Sequence, residues 1–181
     1  MLNLVWLIKQ YGEFMKILLP IIATLTLFVS CSSNVETKSS ALNLLVDDYD
    51  MKARELIKDN KNKVSSKILI KDAQDLIKKA GPILTAFTGK YPQCEVLLNS
   101  VVKSAPAMQN LTLDQIEKQY HEGSALPKAD DICFEAKELI VHPATVVIIS
   151  KQKKLVKTDR IQIHDEIAEV LGHLDLFKDS I

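Results

Sequence analysis

One loop concentrates side chains that could bind a ligand or exchange protons. Tyr120, His121 and Glu122 precede Gly123, and Lys128 follows a few residues later. An imidazole and an ammonium group together attract a carboxylate or another anion, and Glu122 could orient the imidazole of His121. Loops held on a rigid scaffold often carry function. The same residues also suit a simple helix end, because an imidazole is favourable near a helix C-terminus.

The other three histidines are weaker candidates. His142 precedes Pro143, where its ring could enter a cleft or bond to carbonyl groups freed at a kink, and the second role is favoured. His164 and His173 are nine residues apart, about 180° around a helix, so they do not share one face. We expect a surface position for the former and a packed, hydrogen-bonded position for the latter. The possible ligand-binding set is therefore Tyr120, His121, Glu122, Lys128 and His142.

Common catalytic and cofactor motifs are absent from the sequence. His121-Glu122 begins like the zinc motif H-E-x-x-H, but Ala125 stands where the second histidine is required. There is no glycine-rich nucleotide loop, no G-x-S-x-G and no haem-attaching C-x-x-C-H. These absences lower the expectation of an enzyme. The sequence predicts no catalytic residue, no metal site and no cofactor.

The N-terminal segment resembles the export signal of bacterial lipoproteins. Met15-Lys16 opens a short cationic region, Ile17–Phe28 is an apolar stretch of 12 residues, and Ser30 precedes Cys31. The resemblance implies cleavage before Cys31, lipid on that cysteine and anchoring in the cell envelope. Because Ser32 rather than Asp follows, it further implies the outer membrane, facing the periplasm. The pattern departs from the family at Phe28, where leucine is commonest.

Two alternatives to this signal remain open. An uncleaved membrane anchor would need about 18 apolar residues in succession, and the stretch is too short for that. An earlier apolar patch, Leu2–Ile8, is separated from it by charged residues, which favours a translation start at Met15 over Met1. A soluble chain is the remaining alternative.

The domain organisation follows from this signal. We predict an export signal at residues 1–30, the lipidated cysteine and a polar, flexible tether at 31–40, and a single helical domain at 41–181. The whole chain has 23 basic and 23 acidic residues, and residues 1–30 hold two lysines and one glutamate, so the mature chain is nearly neutral. That balance argues against nucleic acid as a partner and against a polybasic membrane patch.

Cys94 and Cys133 form an even pair once Cys31 carries lipid. In an oxidising periplasm such a pair is a candidate disulfide, and two buried free thiols are the alternative. A bridge across a loop of this length would stabilise the fold by about 4 kcal/mol in the chain-entropy model.

Apolar residues recur at spacings of three and four from Ala41 onward, which predicts amphipathic helices. Stripes run over 42–57 and 69–87, and Gly81-Pro82 should kink or split the second helix. A third helix runs from Pro92 to Ala105-Pro106. Pro143 interrupts a later apolar stretch in the same way.

Cap signals place the remaining helices. Thr112 and Gln115 have the spacing of a capping box, which predicts a short helix ending near Tyr120 or His121. Asp130 can cap a fifth helix and Thr158 the last.

The stretch Thr145–Ile149 is the one ambiguous element. It is β-branched and could be a buried strand, but no good partner strand exists, so a buried helix is favoured. The prediction is an all-α, irregular bundle of about five to six helices, one or two of them kinked at proline, without an internal repeat.

We therefore expect an outer-membrane-tethered periplasmic lipoprotein that acts as a binding or interaction module in the cell envelope, without catalysis. Its expected partners are the membrane, through the lipid on Cys31, and another envelope protein. The alternative is a helical bundle that binds a small molecule or metal through the region of His121, Glu122 and His142.

Overall fold

The structure is a computed structural model that describes residues 33–180, with side chains for 41–175 and 178. The chain divides into two units, Met1–Ser39 and Ser40–Ile181, and the second contains all the contacts considered below. Cys31 and the export signal lie outside the described residues, so lipidation stays a prediction.

Residues 33–180 form six α-helices and contain no β-strand, which confirms the predicted all-α bundle. The helices are α1 (Ser33–Lys61), α2 (Ser66–Lys90), α3 (Glu95–Met108), α4 (Leu113–Ile116), α5 (Asp131–Ser150) and α6 (Lys157–Ser180). A 3₁₀ turn, Pro92–Cys94, precedes α3, and a π-helical turn, Glu117–His121, follows α4. None of these helices combines the length and the apolar character needed to cross a bilayer.

Helix α5 is the centre of the domain and packs against α2, α3 and α6. Most of its side chains are buried, including Val146, Val147 and Ile149. Burial on nearly every side favours apolar residues all round the helix, and this overrides the β preference of the branched run. The prediction of a helix rather than a strand over Thr145–Ile149 is therefore confirmed.

A tyrosine of α1 compensates for the proline within α5. Pro143 has no N–H to donate to the carbonyl of Leu139, four residues earlier. The hydroxyl of Tyr49, which is fully buried, donates to that carbonyl at 2.8 Å. Burial raises the pKa of Tyr49 well above its ordinary value, so the hydroxyl keeps the proton that this bond requires.

Helix α2 is not split at Gly81-Pro82, and the predicted end of the third helix at Ala105-Pro106 was wrong. Helix α2 runs without interruption past Gly81-Pro82, and α3 continues past Pro106 to Met108 rather than ending there. A proline removes one backbone donor only, and both helices keep buried side chains on each side of it.

The cap predictions have mixed outcomes. The capping box is confirmed, because the backbone N–H of Gln115 donates to Thr112 Oγ1 at 3.2 Å and the Gln115 side chain accepts from Thr112 N–H at 2.9 Å. Asp130 stands at the N-cap of α5 without a side-chain cap bond. The prediction that Thr158 caps the last helix was wrong, because α6 begins at Lys157 and Thr158 already lies inside it. Asp159 instead accepts a hydrogen bond from the N–H of Val156 at 2.7 Å.

The beginning of α1 also differs from the prediction. This helix begins at Ser33, inside the segment 31–40 that was predicted to be a flexible tether. No proline or glycine lies between that residue and the amphipathic part of the helix, so nothing in the backbone stops the helix from extending.

The predicted disulfide joins Cys94 to Cys133. Both cysteines are fully buried, and the bridge ties the 3₁₀ turn to the first turn of α5. The segment that it closes contains α4, the π-helical turn and the loop with Gly123, so it holds this region against α5 from both ends.

Candidate functional site

The π-helical turn presents His121 to the side of α5. Such turns contain one more residue than an α-helical turn, and they are frequent at functional sites. Gly123 follows with a φ of +78°, a conformation that favours glycine. A Cβ at this position would also lie 2.7 Å from Phe134 Cε1. Two independent constraints therefore favour glycine two residues after His121.

Further bonds fix this loop. Ser124 donates both its backbone N–H and its hydroxyl to the carbonyl of Lys118, at 3.2 and 2.7 Å. The ammonium group of Lys137, on α5, donates to the carbonyl of His121 at 3.2 Å. The imidazole of His121 is thus carried by a short segment that is hydrogen-bonded at several points.

Three side chains bring their ligand atoms together at this place: His121 from the π turn, and Glu138 and His142 from α5. These atoms all lie within 4.8 Å of one another. Glu138 Oε2 lies 3.3 Å from His121 Nδ1 and 3.7 Å from His142 Nε2. We call these three residues the His–Glu cluster. Glu138 and His142 are buried, and the His121 side chain is only 14 % exposed.

The hydrogen bonds of His121 indicate which of its nitrogens is free. Thr145 donates its hydroxyl proton to the carbonyl of Val141 at 3.1 Å, so its oxygen can only accept from His121 Nε2, at 3.3 Å. In the neutral imidazole the proton therefore belongs on Nε2. The lone pair is then on Nδ1, which faces Glu138.

In His142, too, one ring nitrogen carries the proton and the other carries the lone pair. Its Nδ1 lies 2.9 Å from Glu166 Oε2 on α6, so this nitrogen carries the proton and donates it. The lone pair is then on Nε2, which faces Glu138 and also Glu169, whose Oε2 is 3.8 Å away. A carboxylate that holds the outer nitrogen of a histidine is the usual second partner of a metal-bound imidazole.

The carboxylate between the two histidines is incompletely satisfied. Glu138 Oε2 is buried and accepts no hydrogen bond of good geometry. Its other oxygen, Oε1, pairs with the ammonium group of Lys137, which is itself fully buried. Two imidazole lone pairs and one carboxylate oxygen therefore point at a common place where a cation would satisfy all three.

A proton would compete with a metal ion for the space between these three ligand atoms. Burial disfavours a charged His121, but the neighbouring Glu138, with smaller contributions from Glu166 and Glu117, outweighs burial and raises the pKa of His121. Burial disfavours the charged form of Glu138 as well, and contact with His121 and the charges of Lys137 and His142 outweigh that effect and lower the pKa of Glu138. The site stabilises a positive charge against a carboxylate that stays ionised.

The residues around the cluster reveal a repeated pattern. Glu135, Glu138 and His142 have the spacing E-x2-E-x3-H, and Glu166, Glu169 and His173 have the same spacing. We call these triplets the first segment, on α5, and the second segment, on α6. Each places its three side chains on one face of its helix, because the spacings are three and four.

The two segments run antiparallel and pair reciprocally. His142, at the end of the first segment, contacts Glu166, at the beginning of the second. His173, at the end of the second, contacts Glu135, at the beginning of the first, with Nδ1 and Oε2 2.6 Å apart. The ring of His142 stacks on that of His173 at 5.4 Å and lies 4.7 Å from that of His121. Three imidazoles therefore form a row.

The predicted ligand-binding residues are only partly brought together. His121 and His142 meet in the cluster, whereas Tyr120 packs against the core, and Glu122 and Lys128 are exposed. Within residues 41–175, neither exposed residue forms a hydrogen bond or an ion pair with His121; the carboxylate beside its ring is that of Glu138. The expectation that His142 bonds to freed carbonyls was wrong, because Tyr49 satisfies the carbonyl freed by Pro143.

The two remaining histidines lie as predicted. His164 is at the surface, 54 % exposed and next to Asp165, and His173 is partly buried and bonded to Glu135. Sequence reasoning missed Glu138 and the repeated E-x2-E-x3-H pattern. The repeat was visible in the sequence, but it is too short to appear as an internal repeat of the fold.

No protein-family model, no curated protein and no solved structure matches this chain. The function of this chain must therefore be inferred from the geometry of the site.

Proposed function

We propose that the protein is a lipid-anchored envelope protein whose helical domain binds one divalent transition-metal ion at His121, Glu138 and His142. The observation that supports this most strongly is the direction of the three ligand atoms. His121 Nε2 is bonded to Thr145, and His142 Nδ1 is bonded to Glu166. The other ring nitrogen of each histidine faces Glu138 Oε2, and this oxygen accepts no hydrogen bond.

The distances fit a small metal ion. Ligand atoms about 2.1 Å from a tetrahedral zinc ion lie about 3.4 Å from one another. The two His–Glu separations of 3.3 and 3.7 Å are close to this value, and the third pair is within 4.8 Å. Glu169, 3.8 Å from His142 Nε2, or water would complete the coordination. Two imidazoles with one carboxylate suit zinc, iron or nickel rather than calcium or magnesium.

Two cavities on the domain lie away from the proposed metal site. One cavity of 720 Å³ and another of 410 Å³ lie on the domain, and neither is lined by residues of the His–Glu cluster. A substrate would need such a space next to the metal. Lys137 also occupies Glu138 Oε1, which leaves Oε2 as the single coordinating oxygen.

The proposed location in the cell envelope depends on the N-terminal sequence. The pattern Met15–Cys31 supports export and lipid attachment at Cys31, with outer-membrane sorting implied by Ser32. The disulfide between Cys94 and Cys133 agrees with an oxidising compartment. An ion held at the membrane surface by this domain would be available to other envelope proteins.

Zinc titration of the full chain, in competition with a chromophoric chelator, tests the proposal. We expect one zinc ion per chain, and losses of at least about 100-fold in affinity for His121→Ala and His142→Ala. His164→Ala is the matched control, because this histidine is exposed and outside the cluster. Equal affinity in all four proteins, or no stoichiometric binding, would refute metal binding at this site.

An interaction module is the second candidate, and one observation favours it. Leu44 and Met51 of α1 are 70 % and 65 % exposed and are seven residues apart, which puts them on one face. If a partner covers this face, the native protein in gentle envelope extracts should migrate above its own size, and the double substitution Leu44→Asp, Met51→Asp should abolish the difference. An identical size for both proteins would argue against this role.

A further inference from the structure

The end of the bundle where α1 joins α2 and α5 joins α6 combines lysines with exposed apolar side chains. The two connections that meet here, taken with the adjoining helix ends as residues 57–64 and 151–161, contain eight basic residues and two acidic ones. The near-neutral charge of the whole chain conceals this concentration, because the two connections lie far apart in the sequence. The fold brings them together.

A groove of 720 Å³ lies between these connections. Ile57 and Leu155 contribute apolar surface to it, together with Val156 and Ile161, which are about half exposed. The lysines at its rim or next to it are Lys61, Lys63, Lys153, Lys154 and Lys157, and we call this set with the groove the basic end. All five are exposed, and none forms an ion pair within residues 41–175.

The basic end is held in shape without these lysines. Arg160 donates to the carbonyl of Asn60 at 3.3 Å and to that of Val64 at 3.1 Å, and Asn60 donates to the carbonyl of Arg160 at 2.7 Å. Asp159 caps the N-terminus of α6 at Val156. The fold therefore uses one arginine and one aspartate here, and five lysines remain available to an external partner.

We propose that the basic end docks on a bilayer surface that contains anionic phospholipid. Lysine ammonium groups at the rim match the lipid phosphates, and each lysine near such a surface strengthens partitioning by about five-fold. Val156 and Ile161 distinguish a bilayer from a soluble acidic polymer, because only the bilayer interface offers an apolar region in which half-exposed aliphatic side chains can be buried. This surface is independent of the His–Glu cluster.

Lysine footprinting of the full chain tests the docking. The protein is mixed with vesicles of phosphatidylcholine alone, or of phosphatidylcholine with phosphatidylglycerol, then acetylated, and each lysine is quantified by mass spectrometry. We expect the five lysines of the basic end to react several-fold more slowly with the anionic vesicles only. Lys103 and Lys118, which are exposed on other elements, should react equally with both kinds of vesicle.

Matched variants separate the apolar from the electrostatic contribution. Val156→Ser with Ile161→Ser, which removes apolar surface without adding charge, should reduce the protection of the lysines at least five-fold, whereas Lys103→Gln with Lys118→Gln should not change it. Equal acetylation of the five lysines with both kinds of vesicle would overturn the proposal. So would equal protection by soluble polyglutamate in the presence of neutral vesicles, because the surface would then be a general anion binder.

Discussion

The first and second segments have the same residues at the same spacing, yet their environments differ. Glu138 is 11 % exposed, whereas Glu169, its counterpart, is 65 % exposed. His142 is 4 % exposed and His173 is 26 % exposed. The first segment lies on the central helix and meets His121 and Lys137, and the second lies on an outer helix. A shared pattern therefore identifies a shared face, and burial with additional partners determines which copy forms a site.

The largest difference between the segments should appear at their middle glutamates. Glu138→Gln leaves the ammonium group of Lys137 buried without a counter-charge, so we expect a loss of about 3–5 kcal/mol in the free energy of unfolding. Glu169→Gln, at the surface, should cost less than about 0.5 kcal/mol. Urea unfolding of both variants without metal measures this contrast.

A double substitution keeps that comparison informative if Glu138→Gln does not fold. In Lys137→Met with Glu138→Gln the buried charges disappear together, so much of the lost stability should return. Zinc binding should not return, because the carboxylate ligand is still missing. Recovery of zinc affinity in this double variant would show that Glu138 is not a ligand.

The histidines at the ends of the segments should differ in metal affinity. His142→Ala removes a proposed ligand and should weaken zinc binding by at least about 100-fold, or about 2.7 kcal/mol. His173→Ala removes a stacked neighbour and should change the affinity by less than about five-fold. Competition titrations with both variants measure the ratio, and equal losses would mean that the second segment also holds the ion.

The glutamates at the beginning of the segments should differ less. Glu166 orients the imidazole of His142, and replacing such a partner costs about 10–100-fold in metal affinity, so Glu166→Gln should fall in this range. Glu135 bonds to His173, and Glu135→Gln should leave zinc affinity nearly unchanged. If the two variants bind zinc equally well, the reciprocal pairs are structural only.

The pH dependence should have opposite signs with and without metal. The pKa of His121 is raised, so its contribution to the stability of the metal-free protein is complete below about pH 6.5 and is lost as the pH rises through the folded-state pKa. Zinc affinity should increase over the same range, because the proton leaves Nδ1. Thermal unfolding against pH, with and without zinc, tests both signs, and His121→Ala should flatten both curves.

The smallest effect should come from Tyr49, which supports the first segment alone. Tyr49→Phe leaves the carbonyl of Leu139 buried without a donor, at a cost of about 1–2 kcal/mol in the free energy of unfolding. Zinc affinity should change little, because neither ligand on α5 is touched. A large loss of affinity would mean that this bond sets the position of His142.

Local patterns were enough to predict the helices, whereas the disulfide was predicted from the even cysteine pair and the compartment implied by the export signal. The capping box at Thr112 and the apolar stripes depend on neighbours within a turn or two, and such signals survive in the folded chain. The partner of the Leu139 carbonyl could not be predicted, because Tyr49 is 90 residues away in the sequence. Helix boundaries at Pro106 and Thr158 also depended on packing and on a competing cap.

The sequence predicted only part of the candidate site, because it reveals local features and not contacts between distant residues. His121 and His142 were selected as titratable groups at a loop and at a proline, which are local features. Glu138 was not selected, because a glutamate within an apolar helix is informative only once the π turn is known to lie beside it. The partners Thr145 and Glu166, which assign the free nitrogens, come from the folded geometry alone.

Cobalt(II) titration of the metal-free full chain, followed by visible absorption, shows directly whether His121, Glu138 and His142 bind a metal ion. We expect the intense d–d bands of a four-coordinate ion to develop up to one equivalent of cobalt, to be absent in His142→Ala and to persist in His173→Ala. A spectrum like that of cobalt in water throughout the titration, or the same bands in both variants, would contradict a metal site at His121, Glu138 and His142.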